Sequence, residues 1–231
     1  MILTKLRSIM SELQDRRIGV LYLFKEKIMN NKEEFISIVK KNITRDGIDN
    51  LITYLEESGF YKCPASTRYH GSYEGGLLDH SLNVYYSLIE ELKFIFGNDW
   101  QKRYSLESVT IVSLFHDLCK IGKYEKGFKN VKNEDTGIWE KVEVFQYNKN
   151  CFTMGHAPLS LQRINKFIVL TDEESQAIYW HMGAFDLSQY SDVGQLGESF
   201  SKNTLAFALH MADMTATYIC ENEHFKPIEI E

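Results

Sequence analysis

A histidine, an acid and a lysine close an apolar stretch of this chain: Ser108-Val109-Thr110-Ile111-Val112-Ser113-Leu114-Phe115-His116-Asp117-Leu118-Cys119-Lys120. The run up to Phe115 reads as a buried helix, with a breaker only at Gly122. Polar groups at its end are largely removed from water, and a carboxylate there needs an opposite charge or a metal ion. Lys120 follows Asp117 by three positions and His116 by four, so all three can face one region. An Asp–Lys pair closing a core helix is the simplest arrangement. Chemistry requires further ligands brought to the same place.

The chain has such residues. His80, His116, Asp117, His156, His181 and Asp213 lie on or beside helical segments, and helical bundles build metal sites from side chains that project inward from facing helices. Mixed imidazole and carboxylate ligation suits Mn, Fe, Zn, Ni or Co better than Mg, which prefers oxygen donors and retained waters. His210, one turn before Asp213, reads as a supporting or core residue. Ahead of His80 comes a donor-rich loop, Lys62-Cys63-Pro64-Ala65-Ser66-Thr67-Arg68-Tyr69-His70-Gly71-Ser72-Tyr73-Glu74-Gly75-Gly76. Gly75-Gly76 permits close approach, and free amides at the start of the next helix would favour an anion. Arg68 and His70 are then candidates to hold a phosphate, or else to anchor the loop.

The elements that must position these residues are mostly helical. With 231 residues, 44% hydrophobic and 25% charged, the chain can bury a sizeable core, and only three prolines accompany its long amphipathic segments. Helices are expected over 1–30, 32–41 and 48–58, then from Leu77 through Ile95, over 157–169, over 172–181, and as one long final helix over 201–222. Thr171 or Asp172 supplies an N-cap. Asn133-Glu134-Asp135-Thr136-Gly137 signals a turn, and alternation from Trp139 to Tyr147 marks one arm of a β-hairpin that packs its own aromatic face. The hairpin is an insertion, at about 127–150, in an all-α bundle. Residues 1–59 read as a helical extension packed on a domain over 60–231, and 2–23 offer a face for an oligomer.

A formal charge of −6 disfavours non-specific nucleic-acid binding through net charge. Cys63, Cys119, Cys151 and Cys220 are scattered, as reduced thiols of a cytoplasmic protein would be. No signal pattern or membrane-spanning run appears.

The order His80, His116-Asp117, Asp213 resembles the HD superfamily of metal-dependent phosphohydrolases. The wording Gly75-Gly76-Leu77-Leu78-Asp79-His80-Ser81-Leu82 and His116-Asp117-Leu118-Cys119-Lys120 is similar to the HD domains of bacterial 3′-to-5′ exoribonucleases and of phage-type HD proteins. The likeness covers about residues 60–222. It implies an HD-domain helical bundle in which His80, His116, Asp117 and Asp213 hold a first metal and Asp117 bridges to a second held by His156 and His181. It further implies one or two divalent transition-metal ions and hydroxide attack on the phosphorus of a nucleotide or phosphodiester, with nucleic acid inside that substrate range and no membrane partner. Lys120 would stabilise phosphoryl charge or protonate the leaving oxygen. Two other classes stay open: an HD-type di-iron oxygenase, and a non-catalytic nucleotide-binding regulatory module.

Overall fold

The computed structural model describes residues 31–134, 136–186 and 193–222; the expected helix over 1–30 and its self-association face lie outside them. Helices dominate, and the strands among the described residues form one antiparallel hairpin. In chain order the elements are α1 (Asn31–Asn42), α2 (Ile48–Glu57), α3 (Gly76–Phe96), α4 (Leu106–Phe115), β1 (Tyr124–Lys132), β2 (Trp139–Tyr147), α5 (His156–Ile164), α6 (Asp172–Trp180), α7 (Val193–Lys202) and α8 (Thr204–Thr215). No described helix is long and apolar enough to cross a membrane.

The apolar run singled out in the sequence becomes α4, the central helix. Every residue from Val109 to Phe115 is buried, and Ser105 caps the helix by accepting the Ser108 amide. Beside it lies α3, whose 21 residues span about 31 Å and bury Leu77, Leu82, Val84, Leu88 and Leu92. α3 also packs on α8, which in turn packs on α6. The helices before residue 60 enter the same core: Phe35, Val39, Leu51 and Leu55 are fully buried, and the Phe35 ring lies 6.1 Å from that of Phe115.

Several expectations need correction. The start of α3 holds no pair of free amides for an anion, because the Gly76 and Leu77 amides donate to the carbonyls of Tyr73 and Cys63. Gly76 is required there for contact, since a Cβ would sit 2.0 Å from the Gly71 carbonyl oxygen. The helix expected over 157–169 ends at Ile164, where the chain turns so that Phe167 stacks on Tyr54, rings 5.0 Å apart. The single final helix is two: Asn203 interrupts it, and its side chain accepts the amides of Leu205 and Ala206 to start α8 afresh. α8 then widens into a π-helical turn over Ala216–Cys220.

The hairpin begins at Tyr124, four residues after Lys120, with Tyr124 opposite Tyr147 and Lys132 opposite Trp139. Its aromatics divide. The Tyr124 and Tyr147 rings pack at 5.3 Å, whereas Phe128 and Trp139 remain exposed. Lys126 reaches Glu74 at 3.7 Å and so ties the hairpin to the loop before α3.

Candidate metal centre

Five elements end at one buried cluster. His80 comes from the second turn of α3, His116 and Asp117 directly follow α4, His156 opens α5, His181 directly follows α6, and Asp213 lies in the last turn of α8. All but His156 are buried, and His156 is nearly so.

Asp117 is the hub. Its Oδ1 lies 2.6 Å from His156 Nε2 and 3.7 Å from His181 Nε2. Its Oδ2 lies 3.5 Å from His116 Nε2, 3.6 Å from His80 Nε2 and 2.5 Å from Lys120 Nζ. The two oxygens therefore face two different pairs of imidazoles. Asp213 Oδ1 completes one side, 3.1 Å from His80 Nε2 and 4.0 Å from His116 Nε2.

The same local device aims two of the rings. His116 Nδ1 donates to the Ser113 carbonyl at 2.7 Å, and His181 Nδ1 donates to the Ile178 carbonyl at 2.6 Å. In both cases a histidine just past a helix satisfies a carbonyl that the helix itself leaves open, which fixes the tautomer and turns the Nε2 lone pair inward. His80 is oriented by a carboxylate instead: its Nδ1 lies 3.0 Å from Glu221 Oε1, which also accepts from Asn83. His156 Nδ1 has a thiol for neighbour, Cys119 Sγ at 3.2 Å. His210 supports the cluster from behind by donating from Nδ1 to the His181 carbonyl.

The turn that carries Asp117 and Lys120 is clamped by α5. Arg163 donates to the carbonyls of Leu118 and Ile121, and the Ser160 hydroxyl accepts the Cys119 amide. These clamps let a short 3₁₀ turn hold Asp117 and the Lys120 ammonium in fixed positions.

Electrostatics follow from burial and crowding. Burial opposes charge on His80, yet Glu221 and Asp213 outweigh it and hold the ring up at about 10. At His116 burial wins and pushes the ring down to about 3 despite Asp117. His156 is likewise lowered by burial against the pull of Asp117. Burial disfavours charge on His181 too, but the carboxylates of Asp117 and Asp213 raise it overall. Against its own burial, Asp117 is held well below the ordinary carboxylate range by Lys120 and the neighbouring imidazoles, and Asp213 mainly by His80. Lys120 stays protonated beside Asp117 although buried. The Cys119 thiol, pushed up to about 12 by burial and by Asp117, is not a thiolate.

The donor set fits a cation. His80, His116 and Asp213 form one compact group of ligand atoms, His116, Asp117 and His181 a second, and Asp117, Cys119 and His156 a third, each within 4.8 Å. His181 Nε2 is buried without a hydrogen-bond partner, and His116 Nε2 stands 3.3 Å from His80 Nε2. Imidazole nitrogens aimed at one another and at carboxylates are the arrangement a metal ion satisfies.

Of the two residues expected to hold phosphate, Arg68 lies exposed, while His70 lies against the cluster, its ring 4.9 Å from that of His80. Sequence reasoning missed Glu221, Cys119, Ser160 and Arg163. Only Cys119, inside the His-Asp-Leu-Cys-Lys run, stood in plain view. No family model, curated protein or solved structure matches this chain.

Proposed function

We propose that this chain is a divalent-metal-dependent phosphohydrolase of the HD type, acting on a nucleotide or a phosphodiester. One observation carries the reading: Asp117 directs one oxygen to His156 and His181 and the other to His80 and His116. That is the placement a carboxylate needs to lie between two cations. His80, His116, Asp117 and Asp213 would hold one ion, and His156 and His181, with Asp117, a second.

The donor types favour Mn, Fe, Zn, Ni or Co. Bound there, such ions supply Lewis acidity towards a phosphoryl oxygen and lower the pKa of water. The chain's own residues do the rest. The carbonyls of Ser113 and Ile178 and the Glu221 carboxylate hold three rings with Nε2 inward, so no reorientation is needed when substrate arrives. Lys120, held protonated by Asp117, would serve as the positive charge for a phosphoryl oxygen. Arg68, exposed on the loop before α3, would serve substrate oxygens outside the buried centre.

The test is a panel of phosphomonoesters and phosphodiesters assayed with each metal, with and without oxygen, alongside elemental analysis. Hydrolysis should proceed anaerobically, and Asp117→Ala should lose both metal content and turnover, the latter by about 10²–10³-fold, the scale of losing one key electrostatic group. Asp117→Ala with wild-type hydrolysis would sink the assignment. Turnover that needs oxygen and releases no phosphate would replace it with the oxygenase class.

A further inference from the structure

Behind His80, on the side away from Asp117, lies a second set of unsatisfied groups. Both ring nitrogens of His70 are buried without a hydrogen-bond partner, and so is Oε2 of Glu221. Ligand atoms of His70, His80 and Glu221 lie within 4.8 Å of one another. Of these, His80 is already engaged: its Nε2 faces Asp213 and Asp117, and its Nδ1 meets Glu221 Oε1. What remains open is one imidazole and one carboxylate oxygen, from two parts of the chain distant in sequence.

The backbone goes out of its way to put Glu221 there. In an uninterrupted α-helix a residue eight positions after Asp213 would point about 80° away from it. The π-helical turn over Ala216–Cys220 falls behind the α register, and its closing bond runs from the Glu221 amide to the Ala216 carbonyl at 3.0 Å. Glu221 is thereby returned to the side of α8 that carries Asp213. Wide turns of this kind gather at functional sites.

We propose that His70 and Glu221 hold a further divalent cation beside the main centre, with Glu221 Oε1 orienting His80 and Oε2 serving as ligand. A phosphate oxygen near His70 would meet the Glu221 carboxylate as well as the positive charge that His80 and Lys120 bring to that ring, whereas a cation can use both the imidazole and the carboxylate as donors. A bridging water satisfies the geometry as well and is the outcome that the experiment must separate. Two protein donors leave most of the coordination sphere to water or to substrate oxygens, so this ion binds more weakly than those of the main centre. The inference rests on the proposed function only in assigning His80 Nε2 to that centre.

The probe is Mn(II), titrated into the full chain and followed by the electron paramagnetic resonance signal of the free ion. Wild type should take up one weakly held equivalent per chain beyond the tightly held ones. His70→Phe keeps a ring against His80 without a donor atom, and Glu221→Gln keeps an acceptor for His80 Nδ1 while removing the charge. Each should lose the weak equivalent, His70→Phe with the tight uptake intact and Glu221→Gln with the tight uptake weakened by no more than about 10–100-fold, the scale of losing the partner behind one ligand. Equal total uptake by wild type and both variants overturns the site. So does loss in Glu221→Gln alone, which would leave Glu221 acting only through His80. Failure of the main centre reads out separately, as tight uptake that Asp117→Ala leaves unchanged.

Discussion

Two polar clusters sit in this fold, one buried and one part-buried, and they are built on opposite rules. Near the start of α6, Arg45 forks onto Glu174 with two 2.6 Å hydrogen bonds, donates to the Val169 carbonyl at 2.8 Å, and lies 3.5 Å from Glu107. Glu174 also accepts the Thr171 amide, and Glu107 accepts the Thr44 amide. Charges there meet opposite charges or backbone donors. Around Asp117, by contrast, imidazole Nε2 atoms face one another and His181 Nε2 has no partner. A satisfied network is a staple that joins α2's approach to α6, whereas a convergent cluster that leaves imidazole nitrogens unpaired has atoms to spare for an added ion. Burial alone does not mark a functional site; the direction in which the unpaired atoms point does.

The largest effect expected from that contrast is on the response to metal. An ion that binds only the folded chain, at about 1,000 times its dissociation constant, adds about 4 kcal/mol, or about 10 °C of melting temperature in a chain of this size. Wild type should show that rise with Mn(II), and Glu174→Gln should show it undiminished. Asp117→Asn should show none. An equal rise in all three, measured by thermal denaturation, would erase the distinction between the clusters.

Next comes intrinsic stability, where the ranking reverses. Glu174→Ala removes the two-bond partner of the part-exposed Arg45, which keeps Glu107 and the Val169 carbonyl, so the cost in urea unfolding without added metal should be about 1–2 kcal/mol. The pH dependence has a definite sign. Burial disfavours the Glu174 carboxylate, but the Arg45 fork and the Thr171 amide outweigh it and hold its pKa below the ordinary value of 4.5. Its stabilisation is therefore fully present above about pH 4.5 and lost as the pH falls through the lower, folded value. The buried, neutral His70 and His116 also weaken the fold in acid, but they do so equally in Glu174→Gln. Hence the difference between wild type and Glu174→Gln should be constant at neutral pH and shrink in acid. A difference as large at pH 3 as at pH 7 would remove Arg45 and Glu174 from the staple.

How much of this was legible beforehand depended on distance along the chain. The His116-Asp117 pair, Lys120 and the other ligand-type residues could be named because each sits at the edge of a periodic segment, and of the two N-cap residues expected, Thr171 or Asp172, the structure uses Thr171, with Glu174 closing a capping box. The second arm of the hairpin matched Trp139–Tyr147 because alternation is a local signal. Glu221 was hidden because its orientation depends on a π-helical turn, which leaves no mark in apolar spacing. The Arg45–Glu174 pair was hidden because 129 positions separate its members. Asn203 was hidden for another reason: in sequence a polar residue inside a helical run looks like a solvent-facing position, and only the side-chain bonds to Leu205 and Ala206 show a cap.

That cap gives the smallest and most discriminating effect. Asn203 belongs to the satisfied end of the molecule, since its Nδ2 also donates to the Glu173 carbonyl at 2.9 Å. Replacing a capping Asn by Ala costs about 1 kcal/mol on average. Here the loss is cushioned. The Leu205 amide has a second acceptor in the Tyr104 hydroxyl at 3.1 Å, and the Ala206 amide has one in the Asn203 carbonyl, also at 3.1 Å. Asn203→Ala should therefore fall at or below about 1 kcal/mol, whereas Asn203→Ala combined with Tyr104→Phe should exceed the sum of the two single changes, because Leu205 then loses both acceptors. Metal uptake should be untouched in all three, although α8 carries Asp213 further along, because α8 is held in place by its packing on α3 and α6. Strict additivity would mean that the cap carries no redundancy, and weakened metal uptake would mean that the two clusters are coupled through α8.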